Sequence, residues 1–387
     1  MNKFIGIDLS AEAAATGSIF GNATEFAASP EEAMDMMASN SLRPYIAEDG
    51  KAYCTIPRIN SKGEVEYTAK MVGNGTPTPT TLLRGEWEQI DQVVGEVATA
   101  EMNLVNMLIA AGLTIPLNGM GVTKYTWQRA GRMGQARIDM DMTSLVDEDR
   151  PEFDELSMPI PIISSNWDVN MRYLLASRKS GQPVDTIKAY WAAYAVADFT
   201  ERLFLNGAGN FKSFGESIPG LRTTDIALTE TLSADWTSDS VTGKEIVEEV
   251  ATWIQTLRAQ HHYGPFTLLL PGRYSYKLST DYREENNSPS IMTRLLELKE
   301  LKNVEFVEYM RYSTAGVDQL TNEAILLELN KKTIAVLDGM PLTDFEWQVK
   351  GPIIKQHKIA QIKLPLFRAD MEGQTGILRA SRAATVE

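Results

Sequence analysis

The sequence predicts an α+β fold, and three patterns carry that prediction. Glu86–Ala111 and Thr186–Leu205 repeat their apolar residues at helical spacing over long stretches. From Val122 to Met142 the period drops to two, as in a pair of strands. Residues 220–345 then alternate short helix and strand patterns. The 387 residues, 43% hydrophobic and 23% charged, suffice for two or three packed modules around ordinary apolar cores.

Residues 1–81 stand apart. Ala11–Ala15 and Pro30–Ala38 suit short helices, and Ala52–Ile59 and Glu64–Met71 suit a hairpin turned by Asn60-Ser61-Lys62-Gly63. Gly73–Thr80 mixes glycine, proline and threonine, which oppose regular structure, so a boundary falls at residue 81. The unit 82–118 is then an arm helix. Trp87, Ile90, Val94, Val97, Leu104 and Leu108 form its apolar stripe, and Gly112-Leu113 suits its C-terminal cap. At 1.5 Å per residue it predicts a rod of roughly 39 Å, long enough for one end to project.

Residues 119–163 read as an extended arm. Tyr125, Trp127 and Arg129 alternate with Lys124 and Gln128, and after Gly131–Gly134 the residues Ile138, Met140 and Met142 alternate with Arg137, Asp139 and Asp141. A two-stranded ribbon is marginal alone and needs a surface to lie on. Arg129, Arg132 and Arg137 gather toward its tip, while Asp147, Glu148, Asp149 and Glu152 form an acidic run beyond it. Pairing between copies is one reading of these charges and ordinary solvation the other. Exposed pairs contribute about 0–1 kcal/mol, so the gain would be register. The residues assigned to contacts between copies are these seven charged side chains, Lys124, Tyr125 and Trp127 of the ribbon, and Trp87 and Ile90 of the arm helix. Leu156–Ile163, with Pro159 and Pro161, suits an edge strand.

Asp168–Ser177 suits a short helix, and Asp185 a cap for the long helix 186–205. That helix gathers Lys188, Asp198, Glu201 and Arg202 on one arc and is apolar around most of its circumference, the pattern of a spine covered on more than one side. In the mixed unit 220–345, Thr242 caps Glu245–Ala259, Phe266–Leu270 is a buried strand closed by Pro271-Gly272, Arg273–Thr280 and Ser290–Lys299 are helical, and Val304–Tyr309, Ala324–Asn330 and Thr333–Leu337 are strands. Glu346–Val349 and Gln356–Phe367 are extended and belong with the spine helix, making one unit of 164–219 and 346–378. Residues 379–387 carry no core-forming pattern and read as a tail.

Chemistry is sparse. Three histidines occur, and the adjacent His261-His262 point apart on either a helix or a strand. Phosphate-loop, nucleophile-elbow and zinc-helix motifs are absent from the sequence, and the carboxylate clusters lack a calcium-loop pattern. Neither a catalytic residue nor a metal or cofactor is therefore assigned. Net charge of −14 argues against coating nucleic acid by neutralising phosphates, though not against enclosing it. The single cysteine, Cys54, allows no intrachain disulfide and fits a reducing compartment. The first ten residues do not resemble a signal peptide, and no run approaches the roughly 20 apolar residues of a membrane span. Two rods flanking an extended arm describe a subunit that completes itself on neighbours.

The order of several short motifs resembles one family. Trp87–Val94, Ala110-Ala111-Gly112-Leu113-Thr114, Arg150-Pro151-Glu152-Phe153-Asp154, Pro159-Ile160-Pro161-Ile162-Ile163, Phe204-Leu205-Asn206-Gly207 and Gly264–Tyr274 follow one another as in the encapsulin-like branch of tailed-bacteriophage major capsid proteins. The resemblance spans roughly residues 82–378. It implies the Hong Kong 97-like fold, with 82–118 as N-terminal arm, 119–163 as E-loop over a neighbour, 164–219 and 346–378 as peripheral domain, and 220–345 as axial domain. It further implies an icosahedral head of pentamers and hexamers enclosing double-stranded DNA, with portal and scaffolding or decoration partners, assembled in a bacterial cytoplasm. The alternative it leaves open is an encapsulin shell around an enzyme cargo. Two departures stand out. Lys124 is the only lysine between Val122 and Pro161 and no asparagine follows Asn330, so non-covalent closure replaces the lysine–asparagine cross-link of some relatives. Residues 1–81 are additional, whether scaffolding-like, lattice-reinforcing or an ordered outer appendage.

Overall fold

The computed structural model describes residues 45–59, 65–71, 82–119, 121–131, 140, 153–180, 186–238, 240–283, 289–313, 316–320, 322–350 and 354–382. In chain order the first elements are β1 (Tyr45–Ile46), β2 (Ala52–Ile59), β3 (Val65–Met71), α1 (Arg84–Glu101), α2 (Asn103–Ala110), β4 (Thr114–Pro116), β5 (Lys124–Ala130), β6 (Phe153–Pro159), β7 (Ile163–Asn170), α3 (Met171–Ser180) and α4 (Ile187–Asn206). Then come β8 (Ala208–Ser213), β9 (Glu216–Ile218), β10 (Leu228–Thr231), α5 (Gly243–Ala259), β11 (Phe266–Leu270), α6 (Ser275–Ser279), α7 (Ile291–Leu296) and β12 (Leu301–Phe306). The remaining strands are β13 (Tyr312–Ser313), β14 (Gly316–Leu320), β15 (Asn322–Glu328), β16 (Ile334–Lys350), β17 (Ile354–Phe367) and β18 (Ile377–Arg382).

Two cores organise these elements. In the first, the long antiparallel hairpin β16–β17 carries β4 on one edge and β7 on the other. Its Ile334, Val336, Ile359, Ile362 and Leu364 pack with Val196, Leu203 and Phe204 of the spine helix α4 and Ile90 and Val94 of α1. In the second, the sheet β10-β18-β15-β11-β12 packs its Phe266, Leu268 and Leu326 on Ile246, Val250 and Leu257 of α5. Every residue of Phe266–Leu270 is buried, as a run that is apolar but for Thr267 predicts for an interior strand. Helix α5 starts as its sequence dictates. Thr242 caps it, and Glu245 reaches back to the Thr242 N–H at 2.9 Å, a reciprocal capping box. Where α4 ends, Gly207 (φ 68°) and Gly220 lie back to back. A Cβ on Gly220 would stand 2.2 Å from the Gly207 nitrogen, so the return of the chain beneath the spine requires both glycines.

Five expectations are corrected. The arm is two helices, α1 and α2, bent by 88° at Met102 rather than one straight rod. The bend is held from outside, by Glu201 of α4. Strand β5 pairs with β6, Lys124 opposite Pro159 and Ala130 opposite Phe153, while the expected second strand of the ribbon, 136–142, lies outside the described residues apart from Met140. The expected helix Asp168–Ser177 begins at Met171, because Trp167, Asp168 and Val169 continue β7 against β17 and the Asn170 side chain accepts from Arg172 N–H at the turn. The expected strand Leu156–Ile163 divides into β6 and β7 around Ile160–Ile162, where Pro161 interrupts the ladder. The tail expected from residue 379 is instead most of β18, inserted between β10 and β15, with Leu378 and Ala380 in the core and Arg379 paired to Glu323. Correspondingly Thr333–Leu337 starts β16 in the spine-helix sheet, outside the mixed unit in which the sequence reading put it. The short helices of 1–44, the linker 73–80 and the Asp185 cap lie outside the described residues.

Candidate subunit interface

The ribbon β5–β6 sorts its side chains by alternation. Tyr125, Trp127 and Arg129 and their neighbours across the ladder, Met158, Leu156 and Asp154, turn toward the body and are partly or wholly buried. Lys124, Thr126 and Gln128 face out, with Phe153 64% exposed beside them. Tyr125 and Trp127 stack with centroids 6.0 Å apart, and the Tyr125 hydroxyl accepts from Arg368 Nη2 at 3.4 Å. Arg129 Nη2 meets Asp154 Oδ2 at 2.5 Å within the same ribbon, so its charge is spent at home rather than on a neighbour. The root of the arm is thus anchored on its own subunit. Arg132, Arg137, Asp147, Glu148, Asp149 and Glu152 lie outside the described residues, as do the carboxylates of 139, 141, 284 and 285. Met140, which is described, is 96% exposed.

Trp87 and Ile90 do not belong to a contact surface. They are 5% and 0% exposed, in the first core. Trp87 packs near the ring of His357, which stacks on Trp167 at 4.4 Å and bonds Asp344 through Nδ1 at 3.2 Å. Asp344 also accepts from Trp167 Nε1 at 3.0 Å. This cluster fastens α1 to the long hairpin.

Glu201 has the same kind of role. Read from sequence it belongs to the charged arc of the spine, yet it is fully buried. Leu104 N–H donates to its Oε1 at 2.7 Å and Val105 N–H to its Oε2 at 3.3 Å, so the carboxylate caps α2 at its bend. Burial pushes its pKa up to about 7 against the pull of those two N–H groups. At the other end of α1, Glu86 accepts from Leu83 N–H at 2.7 Å and pairs with Arg178 of α3 at 2.6 Å.

Sequence reasoning missed one surface. The spine helix is apolar nearly all round, but its own chain covers only part of it, leaving Ile187, Trp191 and Phe199 bare beside Ile162 and Phe211. The signal is the circumference itself: a helix apolar around most of it is covered on more than one side, but the spacing does not say which side the chain leaves to a cover of other origin. Of the histidines, His262 Nδ1 reaches Glu328 at 2.5 Å while His261 lies near Tyr263, so the pair diverges as expected. Among the described residues no three His, Cys, Asp or Glu side chains gather as a metal site. No single described helix is long and apolar enough to cross a membrane.

A family described as one of unknown function, DUF6260, matches residues 77–348, more than two thirds of the chain. No curated protein matches. Among solved structures, the virus-like particle of Pyrococcus furiosus is similar at 14% identity and TM-score 0.52, over 76% of this chain and 98% of that one. The capsid of Myoviridae phage XM1 is similar at 12% and 0.51, over 70% and 90% of the two chains. A chain of Mycobacterium phage Bobi is similar at 10% and 0.50, over 72% and 90%. At these identities the likeness is one of fold, and the fold is the Hong Kong 97-like capsid fold that the order of motifs implies.

Proposed function

The chain belongs to the DUF6260 family, and from that premise and its capsid fold we propose that it is a major capsid protein of a tailed bacteriophage. Copies assemble into pentamers and hexamers of an icosahedral head around double-stranded DNA. The observation that carries this reading is the fold match, which runs over 90% of the phage XM1 capsid chain and 98% of the Pyrococcus furiosus virus-like particle chain. On this reading α1–α2 is the N-terminal arm, β5–β6 the root of the E-loop, α4 with the β16–β17 sheet the peripheral domain, and the β10–β12 sheet with α5 the axial domain. Net charge of −14 suits a wall that contains DNA without gripping it, leaving phosphates to their counter-ions. Portal and scaffolding or decoration proteins are the partners such a head requires, and catalysis is no part of the role.

The test is direct. The full chain, expressed alone and examined by negative-stain microscopy, is expected to form closed shells of uniform diameter; a monomer that stays monomeric at high concentration overturns the reading. The length of the virus-like-particle match favours one second reading, an encapsulin compartment around protein cargo. Particles from the native source separate the two, since a 260/280 absorbance ratio typical of DNA-filled heads supports the phage head and nucleic-acid-free shells with a co-purifying enzyme support the compartment.

A further inference from the structure

The spine helix α4 leaves one side uncovered. Ile187, Trp191 and Phe199 are 65%, 60% and 51% exposed. With Ala195 they stand four residues apart along the helix, and residues so spaced touch in a single, slowly winding stripe. Tyr190 and Tyr194 brace Trp191 edge-on at 5.4 and 5.6 Å. At its far end the stripe opens into a groove of about 400 Å³, walled by Ala195 and Phe199 on one side and by Ile162 and Phe211 on the other. Charges bordering the stripe are already paired within the chain, Lys188 with Asp168 at 3.0 Å and Arg202 with Asp198 at 3.2 Å.

We propose that this face, from Ile187 to Phe199 with the groove beside Ile162, is a subunit interface covered by a neighbouring copy of the chain. The inference rests on the shell reading and adds to it the surface used. Area favours it. Whole aromatic side chains offer about 150–250 Å² each, so the exposed shares of the six large apolar residues Ile162, Ile187, Tyr190, Trp191, Phe199 and Phe211 come to roughly 600 Å². That is the upper end of what a lone soluble chain leaves bare, and approaches the ~800 Å² per partner of a standard interface. Chemistry disfavours nucleic acid as the occupant, because the stripe itself is apolar and Lys188 and Arg202, which border it, are paired within the chain. Continuity points to another copy, since the groove wall at Ile162 follows directly from β6, the root of the arm that reaches a neighbour. In a closed ring the contact is heterologous, so the stripe meets a different surface of the next subunit and not its own image.

The experiment places p-benzoylphenylalanine at position 191 of the full chain and irradiates purified particles. A covalent product of twice the chain mass, with peptides of a second copy joined at 191, is expected. Well-formed particles that yield no such product, or a product with a different protein, overturn the proposal while leaving the shell reading intact. If the wild-type chain forms no particles, the shell reading fails first, and a soluble monomer without the two-copy product then refutes this interface too. As an independent check, the double variant Trp191→Ser, Phe199→Ser alters only exposed side chains. With an unchanged circular-dichroism melt, it is expected to lower particle yield at least tenfold, and an unchanged yield overturns the proposal.

Discussion

Glu201 concentrates the physics of this chain in one side chain. It is buried, it caps a helix whose first residues lie almost a hundred positions earlier, and burial lifts its pKa from 4.5 to about 7. A carboxyl whose folded-state pKa is raised holds its proton more tightly in the folded protein. Its contribution to stability is therefore complete below the ordinary value and is lost as pH rises through about 7. The window from pH 4.5 to 7 corresponds to up to about 3 kcal/mol. Glu201→Gln keeps an oxygen for Leu104 N–H and removes the titration. The variant is expected to gain on the wild type by up to about 3 kcal/mol between pH 5 and pH 8, measured by denaturant unfolding; parallel curves for the two proteins would contradict the assignment. The sequence shows that Glu201 is charged and on the spine, but its partners Leu104 and Val105 come from another helix. Periodicity along one helix does not report what packs on it, which is also why the spacing of Trp87 and Ile90 cannot tell a contact surface from the core in which they lie.

At the scale of the element, signals carried by neighbouring residues were legible and signals carried by distant ones were not. The hairpin β2–β3, the buried strand Phe266–Leu270 and the Thr242 cap each follow from a few adjacent residues. Thr242→Ala is expected to cost about 1 kcal/mol in thermal or denaturant unfolding, the usual loss of an N-cap. Gly220→Ala, which drives a Cβ into the Gly207 backbone, is expected to cost about 1–3 kcal/mol by the same measurement, as overpacking does; a neutral effect would mean the two segments are not back to back. The bend at Met102, the pairing of β5 with β6, and β18 were illegible for one reason. Each depends on a partner far along the chain: Glu201, the strand beyond an intervening stretch of 22 residues (131–152), and β10 with β15. The short strand Ile377–Arg382 is half polar, with Arg379, Ser381 and Arg382 in it, and its Arg379 answers Glu323 and the Arg222 carbonyl. Read alone, those polar residues look like solvent-facing tail.

For the whole molecule, the order of motifs conveyed the capsid fold that no single motif carries, whereas the bare side of the spine became visible only with the rest of the chain around it. The anchored root of the ribbon sharpens the test of its reach. Replacing residues 132–150 by a short turn spares β5 and β6, and is expected to leave a folded, soluble chain with its melting temperature nearly unchanged but no closed shells in the microscope. Normal shells from that protein would remove the arm from the assembly mechanism. The position of β18 carries a further consequence. Among the described residues strand β10 pairs with β18 alone, and β15 needs β18 on one flank, so this sheet stays open until residues 377–382 are in place. The second core therefore closes as one cooperative unit, because strands drawn from three distant stretches, 228–231, 322–328 and 377–382, must meet before any of them is complete.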